Sequence, residues 1–297
     1  MKRFIGALLI IISAAAFATL PILARFAYAE GLDVLSLMAL RFSLSAVVLL
    51  GILAVRGERL PRGGTLLRLI GMGALGYVGQ AFTYLTALHY ASPGLVALLL
   101  YLYPVFVAVL SMLWLRERLS GLKILALAIA LAGLALTVGP GGGQPAGILL
   151  AVSAAVIYSV YILVGTRVMQ HVSAIQSSAV IFLSAGVTSS LLMVLNGPHL
   201  PRTGNGWIVM AGIVLIATVL PVTTFLAGLG RIGATNAAML STLEPVVTVA
   251  LAALLLGELL KPVTLIGGGL ILAAVLLVLR GGMERRTSES VHPEESQ

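Results

Sequence analysis

The sequence of 297 residues contains no cysteine. That absence excludes disulfide bonds, thiolate metal sites and a cysteine nucleophile. Charge is also scarce, because Asp, Glu, Lys and Arg together make up 9% of the residues, against roughly 25% in a soluble domain. A chain with so little charge cannot cover a soluble surface, so we expect lipid to surround much of it.

Hydrophobic residues make up 60% of the chain, and the mean hydropathy is +1.11. A helix that spans a bilayer needs about 20 apolar residues, and the apolar runs predict ten such helices. The sequence therefore predicts an all-α integral membrane protein. The predicted spans are residues 4–24, 34–55, 66–88, 93–115, 122–138, 146–166, 174–195, 206–228, 234–256 and 263–280.

Basic residues predict the orientation of these spans. If the spans alternate, 14 of the 18 Lys and Arg residues fall on the side that holds both termini, and 4 fall on the other side. Cytoplasmic loops carry an excess of Lys and Arg, so both termini are predicted to be cytoplasmic. The basic residues are scattered one or a few per loop, which argues against a nucleic-acid-binding face despite the net charge of +8.

The two halves of the chain repeat one another. Pro104 and Pro245 are 141 positions apart, and Glu117 matches Glu258 at the same offset. Each half contains five spans, so the second half enters the membrane from the opposite side, and the repeats are predicted to be inverted. The predicted organisation is a first repeat over 1–139, a Gly/Pro linker over 140–145, a second repeat over 146–280 and a disordered cytoplasmic tail over 281–297.

Two stretches resemble the EamA repeat of the drug/metabolite transporter superfamily: TALHYASPGLVALLLYLYPVFVAVLSMLWLRERLSG and LSTLEPVVTVALAALLLGELLKPVTLIGGGLILAAVLL. The resemblance covers about residues 4–280. It implies ten helices, both termini inside, a central cavity, and export of amino acids or related metabolites across a bacterial inner membrane. A drug or nucleotide-sugar carrier of the same superfamily is the alternative.

Signatures of enzymes are weak in this sequence. Residues 71–76 fit the pattern G-x-G-x-x-G, but no strand precedes them and no acidic residue follows at the distance that a ribose would need. Close packing of helices explains these glycines better. The histidines lack metal-ligand spacing. We expect no enzymatic activity, no metal and no cofactor, and an intramembrane enzyme is the alternative from a different class.

Polar residues inside the predicted spans mark a candidate site, because such residues are costly in lipid and are most often functional. Ser241, Glu244 and Thr248 are spaced i, i+3, i+7, which places them on one face of a helix. Three interpretations of Glu244 stay open. It could recognise an ammonium group, couple transport to protons, or satisfy backbone groups that Pro245 leaves free.

Aromatic residues at helical spacing complete the predicted cavity. The repeat maps Glu244 onto Tyr103 and Thr218 onto Tyr77, and it predicts that Tyr103 rather than Tyr101 faces inward. An apolar, aromatic lining with few polar groups is usual for small-molecule sites. The predicted substrate-binding residues are Tyr77, Gln80, Tyr84, Tyr103, Tyr158, Tyr161, Thr218, Ser241 and Glu244, and Glu244 is also the candidate coupling residue.

Arg41 is a second charge inside a predicted span. It either extends to the outer surface or pairs with a buried carboxylate or a substrate carboxylate. Pairs of small residues predict close helix contacts, within a monomer in preference to a dimer face: Ala128 with Ala132, and Gly269 with Ala273. The expected partners are a small-molecule substrate and membrane lipid.

Overall fold

The computed structural model describes residues 2–87, 89–91, 93–117, 119–138, 143–256 and 262–291, and most of them are helical. Two π-helical segments, Met72–Tyr77 and Leu215–Val219, each join two α-helices end to end. The α-helices are α1 Lys2–Phe17, α2 Leu20–Ala29, α3 Val34–Arg56, α4 Gly63–Gly71, α5 Val78–Ala87, α6 Pro93–Leu100, α7 Tyr103–Trp114, α8 Gly121–Val138, α9 Pro145–Val168, α10 Ala174–Asn196, α11 Gly204–Val214, α12 Leu220–Ile232, α13 Ala234–Ser241, α14 Glu244–Leu256 and α15 Pro262–Val291.

Eight helical segments among the described residues are long and apolar enough to cross a membrane. They match the first, second, fourth and sixth to tenth predicted spans. For the third predicted span, the structure has the helical segment 63–87, and for the fifth it has an apolar but shorter helix, Gly121–Leu136. The chain is thus an all-helical membrane protein, and the count of ten crossings stays a prediction.

Capping groups explain where two long helices, α3 and α10, begin. The side chain of Asp33 accepts a hydrogen bond from the Ser36 backbone N–H and starts α3. Ser173 and Gln176 form a reciprocal capping box at the start of α10. These side chains satisfy backbone donors that the first turn of a helix leaves without partners. Gly57 ends α3 in the left-handed conformation, at a φ of 63°, which glycine adopts without strain.

Prolines interrupt two membrane helices at matched places in the two halves. Residues 101–102 separate α6 from α7, and Pro104 lies in the first turn of α7. Residues 242–243 separate α13 from α14, and Pro245 lies in the first turn of α14. Proline has no N–H and clashes with the preceding turn. The fourth and the ninth predicted spans therefore each consist of two helices that meet at this interruption.

The packing of the helices is reciprocal between the two halves. α1 packs against α12, α13 and α14 of the second half, and its counterpart α9 packs against α5, α6 and α7 of the first half. α3 packs against α10, and α8 packs against α15, so each of these helices meets its own counterpart. Exchanging the two halves leaves this set of neighbours unchanged, as a two-fold relation between repeats requires.

These contacts define two groups of helices, each drawn from both repeats. We name α1, α12, α13 and α14 the glutamate bundle, because it carries Glu244. We name α5, α6, α7 and α9 the tyrosine bundle, because it carries Tyr84, Tyr103, Tyr158 and Tyr161. Both bundles contribute buried residues to one large hydrophobic core, together with α3 and α10.

Close contact between α8 and α15 uses small residues other than the predicted ones. A Cβ atom on Gly133 would lie 2.6 Å from the carbonyl oxygen of Gly267, so the two backbones nearly touch. The prediction that the two small-residue pairs pack within the monomer is wrong, because small residues recur along both helices and spacing alone does not select the buried face. The predicted pair members are exposed: Ala128, Ala132, Gly269 and Ala273.

The C-terminal segment differs from its prediction. In place of a disordered tail from residue 281, α15 continues to Val291. Glu, Arg and Met are good helix formers, and the segment MERR that follows the apolar stretch can therefore extend the helix. Residue 139, residues 140–142 of the predicted linker and residues 292–297 lie outside the described residues.

Candidate functional site

The second π-helical segment lies one turn before a proline inside the membrane. Pro221 has no N–H, so the carbonyl of Ala217, four residues earlier, lacks its helical donor. Buried side chains bond to carbonyls nearby: Thr218 Oγ1 donates to the Ile213 oxygen at 2.7 Å, and Ser13 Oγ of α1 donates to the Pro221 oxygen at 2.7 Å. Lipid offers no alternative partners, so these bonds hold the irregular helix in place.

Arg41 of α3 extends to this segment. Its Nε donates to Thr218 Oγ1 at 2.7 Å, and its Nη2 lies 3.4 Å from the Tyr77 hydroxyl and 3.5 Å from the Ala217 oxygen. Its guanidinium carbon lies 5.1 Å from the centre of the Phe42 ring. Arg41 is only 8% exposed. The side chain points into the protein, so extension to the outer surface is the wrong alternative.

Tyr77 and Thr218 are equivalent in the two repeats, and both contact Arg41. Each belongs to a π-helical segment. At the same offset, the counterpart of Arg41 is Phe182, whose ring centre lies 6.2 Å from that of Tyr77 and 6.0 Å from that of Phe42. The first repeat therefore places a cation beside Tyr77 where the second repeat places an apolar ring, and the site is chemically asymmetric.

Seven aromatic rings form a continuous series across the protein. Going from α3 towards α7, the centroid separations are 5.2 Å for Phe42–Tyr77, 5.8 Å for Tyr77–Tyr161, 5.9 Å for Tyr161–Tyr158, 4.8 Å for Tyr158–Tyr103 and 6.2 Å for Tyr103–Tyr101. Separations of about 4.5–7 Å are attractive for aromatic pairs. We name these rings, with Phe182, the aromatic series, and it contains four of the predicted tyrosines: Tyr77, Tyr103, Tyr158 and Tyr161.

Glu244 faces this series from the other bundle. It is the first residue of α14, and the N-terminus of a helix stabilises negative charge. The Tyr101 hydroxyl lies in hydrogen-bonding range of its carboxyl group. Glu244 lies within electrostatic range of the hydroxyls of Tyr77, Tyr84, Tyr101, Tyr103 and Tyr158.

Several residues of the site are half-buried rather than sealed in the core. Tyr77, Tyr158 and Glu244 are half-buried, whereas Tyr103 and Tyr161 are 3% and 4% exposed. The half-buried part of the site thus includes Glu244 on the glutamate bundle and Tyr158 on the tyrosine bundle. Such an arrangement can hold an apolar ligand that also carries charge.

The other predicted residues lie around this centre. Ser241 is buried, and its Oγ donates to the Ala237 oxygen of its own helix at 3.0 Å. Gln80 and Tyr84 of α5 are half-buried. Tyr84 packs against a small cluster that includes Val96, so it lies at the edge of the site while remaining in electrostatic range of Glu244.

Tyr101 belongs to the site, although the sequence argument placed it on the opposite side of the helix from Tyr103. That argument assumed a continuous helix, whereas the turn at residues 101–102 brings both rings together. Arg41, Phe42 and Phe182 also contact the predicted residues and were not predicted as lining. The sequence offered a signal for two of them: Arg41 is a charged residue inside a predicted span, and Phe182 is its counterpart in the second repeat.

A cavity of about 640 Å³ lies apart from this site, between α1, α3, α10 and α12. Arg56, Glu58 and Arg231 line it together with apolar side chains, and none of the nine predicted site residues does. Its basic residues place it on the predicted cytoplasmic side. No group of His, Asp and Glu residues in the described ranges is arranged to hold a metal ion.

The sequence pattern of the EamA-like transporter family matches the chain twice, over residues 4–139 and 145–280. The chain belongs to this family. The EamA-family chain is 29% identical over 236 residues to a probable amino-acid metabolite efflux pump of Salmonella typhimurium, which covers 74% of the chain and 79% of the relative. It is 26% identical over 253 residues to the uncharacterized inner membrane transporter YedA of Escherichia coli, with 83% and 82% covered.

Further similarities agree with this family and fold. An uncharacterized transporter of Archaeoglobus fulgidus is 28% identical over 214 residues, which cover 71% of this chain and 76% of the relative. A solved crystal structure superimposes with a TM-score of 0.83 over 92% of this chain and 98% of that chain, at 23% identity. The EamA-family chain thus has two EamA repeats and a fold already seen by crystallography.

Proposed function

We propose that this EamA-family protein is a secondary transporter of the bacterial inner membrane, which exports amino acids or related small metabolites by alternating access. The observation that carries the proposal is the aromatic series facing Glu244 where α6–α7 and α13–α14 are interrupted. Discontinuous membrane helices that meet near the midplane form the substrate site in many transporters built from repeats. The Salmonella relative, a probable amino-acid metabolite efflux pump, supports the substrate class, and the E. coli relative, an inner membrane transporter, supports the membrane.

The proposed topology has ten membrane-spanning helices in two inverted repeats, with both termini in the cytoplasm. The reciprocal packing of α1 and α9 supports the two-fold relation. The distribution of Lys and Arg supports the orientation. We take the repeats as 1–139 and 146–280, joined by the linker 140–145 and followed by the tail 281–297.

The two bundles explain how access can alternate. Four predicted tyrosines of the site lie on the tyrosine bundle, whereas Ser241 and Glu244 lie on the glutamate bundle. A substrate held between them contacts both bundles at once. Tilting of one bundle against the other opens the space between Tyr158 and Glu244 first to one side of the membrane and then to the other.

Transport by purified protein in liposomes tests this proposal. Amino acids, sugars, nucleotide sugars and cationic dyes are offered with and without a pH gradient, and we expect saturable flux of amino acids. Tyr158→Leu is expected to reduce that flux, whereas Tyr90→Leu, at a ring that is 43% exposed and outside the aromatic series, is the matched control.

Other outcomes of this panel identify the alternatives. Saturable flux of dyes or nucleotide sugars without amino-acid flux would replace the proposed substrate class with another of the superfamily. Chemical conversion of an added compound without flux would favour an intramembrane enzyme. Equal loss of flux in Tyr158→Leu and Tyr90→Leu would contradict the placement of the site.

A further inference from the structure

Arg41 is a buried cation whose recorded partners are all neutral. Its guanidinium contacts the Thr218 hydroxyl, the Tyr77 hydroxyl and the Ala217 carbonyl. The ion pairs within the described ranges do not include it. A guanidinium stays protonated in proteins, and a buried charge is unfavourable unless an opposite charge compensates it. The site is therefore electrostatically incomplete at this position.

The guanidinium of Arg41 has hydrogen-bonding capacity left for a ligand. Nε makes the single short bond, to Thr218, while both contacts of Nη2 are long, at 3.4 and 3.5 Å. No bond from Nη1 is recorded within the described part of the chain. The planar fork of an Arg side chain fits a carboxylate with two parallel bonds. Thr218 holds the side chain and leaves one edge of the fork available.

Glu244 supplies the opposite charge to the same site. The Tyr77 hydroxyl interacts electrostatically with both Arg41 and Glu244. Arg41 and Glu244 also interact electrostatically with each other, yet they form no ion pair within 4.0 Å. The rings of Tyr77, Tyr161 and Tyr158 are adjacent to one another, and the Tyr77 hydroxyl lies beside Arg41. The site thus carries one cation and one carboxyl group, which are separated and bordered by aromatic surface.

We propose that Arg41 binds the carboxylate of an apolar amino acid while Glu244 binds its ammonium group, and that the apolar side chain packs on the aromatic series. This assignment rests on the proposed transport of amino acids and specifies which atoms of the substrate are recognised. Arg41 repels a cation that lacks a carboxylate, and Glu244 repels an anion that lacks an ammonium group. The pair therefore selects a zwitterion over the two singly charged relatives of the same size.

Three ligands that share one aromatic ring separate these contributions. L-phenylalanine carries both charges, phenethylamine lacks the carboxylate, and 3-phenylpropionate lacks the ammonium group. Their dissociation constants for the detergent-purified full chain are measured by titration calorimetry. We expect phenylalanine to bind the unmodified protein roughly tenfold to a hundredfold more tightly than either relative, as the loss of one charged hydrogen-bonding group implies.

The variants distinguish direct recognition from a structural role. Arg41→Gln should weaken phenylalanine binding by roughly tenfold or more and, because the repelling charge is gone, bind phenethylamine at least as tightly as the unmodified protein. Glu244→Gln should weaken phenylalanine binding and bind 3-phenylpropionate at least as tightly as the unmodified protein. Arg41→Lys keeps the charge without the planar fork, so its affinity for phenylalanine should lie between that of Arg41→Gln and that of the unmodified protein. Arg56→Gln, at the separate cavity, is the matched control for loss of a cation. Its affinities for phenylalanine, phenethylamine and 3-phenylpropionate should equal those of the unmodified protein.

Opposite results overturn the assignment. If Arg41→Gln and Arg41→Lys weaken phenylalanine and phenethylamine equally, Arg41 supports the fold and does not bind the carboxylate. If the unmodified protein binds either singly charged relative as tightly as phenylalanine, or does not bind phenylalanine, selection of an apolar zwitterion is wrong. Amino-acid flux in liposomes together with any of these results would leave the proposed function standing and remove only this inference.

Discussion

The contact between α8 and α15 gives a stability prediction whose size follows from the structure. In the variant Gly133→Ala, the new Cβ would lie 2.6 Å from the Gly267 oxygen, 2.9 Å from Leu270 Cβ and 3.0 Å from Ile271 Cγ1. The closest of these atoms belongs to the backbone, so α15 itself must shift. Overpacking of this kind costs about 1–3 kcal/mol, and the better helix propensity of Ala returns at most about 1 kcal/mol. We expect a net loss of about 1–2 kcal/mol.

Gly269→Ala is the matched control on the partner helix. A Cβ on Gly269 meets no atom within 4 Å, so this variant should be as stable as the parent or slightly more stable. Reversible unfolding of the purified protein in mixed micelles with increasing denaturing detergent measures both changes. Equal stability of Gly133→Ala and Gly269→Ala would refute the close approach of α8 and α15.

Three further predictions concern topology and polar contacts. Because the natural chain has no cysteine, single replacements report topology: Arg59→Cys should react with membrane-impermeant thiol reagents only from the cytoplasm and Arg202→Cys only from outside, and labelling of both from one side would contradict the orientation. Thr218→Val removes the acceptor of the 2.7 Å bond from Arg41 and should destabilise the protein by about 1–3 kcal/mol, while Thr218→Ser should be neutral in the same unfolding assay. Glu117→Gln removes a partly exposed 2.7 Å ion pair with Lys123 but keeps an oxygen that can accept the 2.8 Å bond from Thr235 Oγ1, so it should cost less than about 1 kcal/mol; a loss as large as that of Thr218→Val would contradict this expectation.

The helical membrane class and the repeat could be predicted from the sequence because both rest on patterns that extend along most of the chain. Ten apolar runs, the offset that joins Pro104 to Pro245, and the resemblance to EamA repeats all predicted one architecture. The matches to the family over 4–139 and 145–280 confirm the two repeats. Helix boundaries agreed closely where a cap or a charged loop marks them, as at Val34–Arg56.

The irregular helices could not be placed by periodicity. The argument that separated Tyr101 from Tyr103 assumed a constant rotation per residue, which fails where Pro104 interrupts the helix. The π-helical segment before Pro221 is held by a local bond from Thr218 to Ile213 and by a bond from Arg41 to Thr218, and the second bond joins residues too distant in the chain to leave a local pattern. The buried position of Arg41 could not be predicted for the same reason, because the acceptors of its hydrogen bonds, Thr218 and Ala217, lie 177 and 176 positions away in the chain.

Counterflow in liposomes tests the central claim most directly, since it detects exchange through one binding site without any assumption about proton coupling. Liposomes that contain the purified protein are loaded with an unlabelled amino acid and diluted into a trace of the same amino acid carrying a label. An amino-acid transporter whose site lies between the two bundles predicts a transient accumulation of label above equilibrium, which Tyr158→Leu abolishes and Tyr90→Leu preserves. Absence of this accumulation for every amino acid tested, in a preparation that remains folded and monodisperse, would contradict the claim.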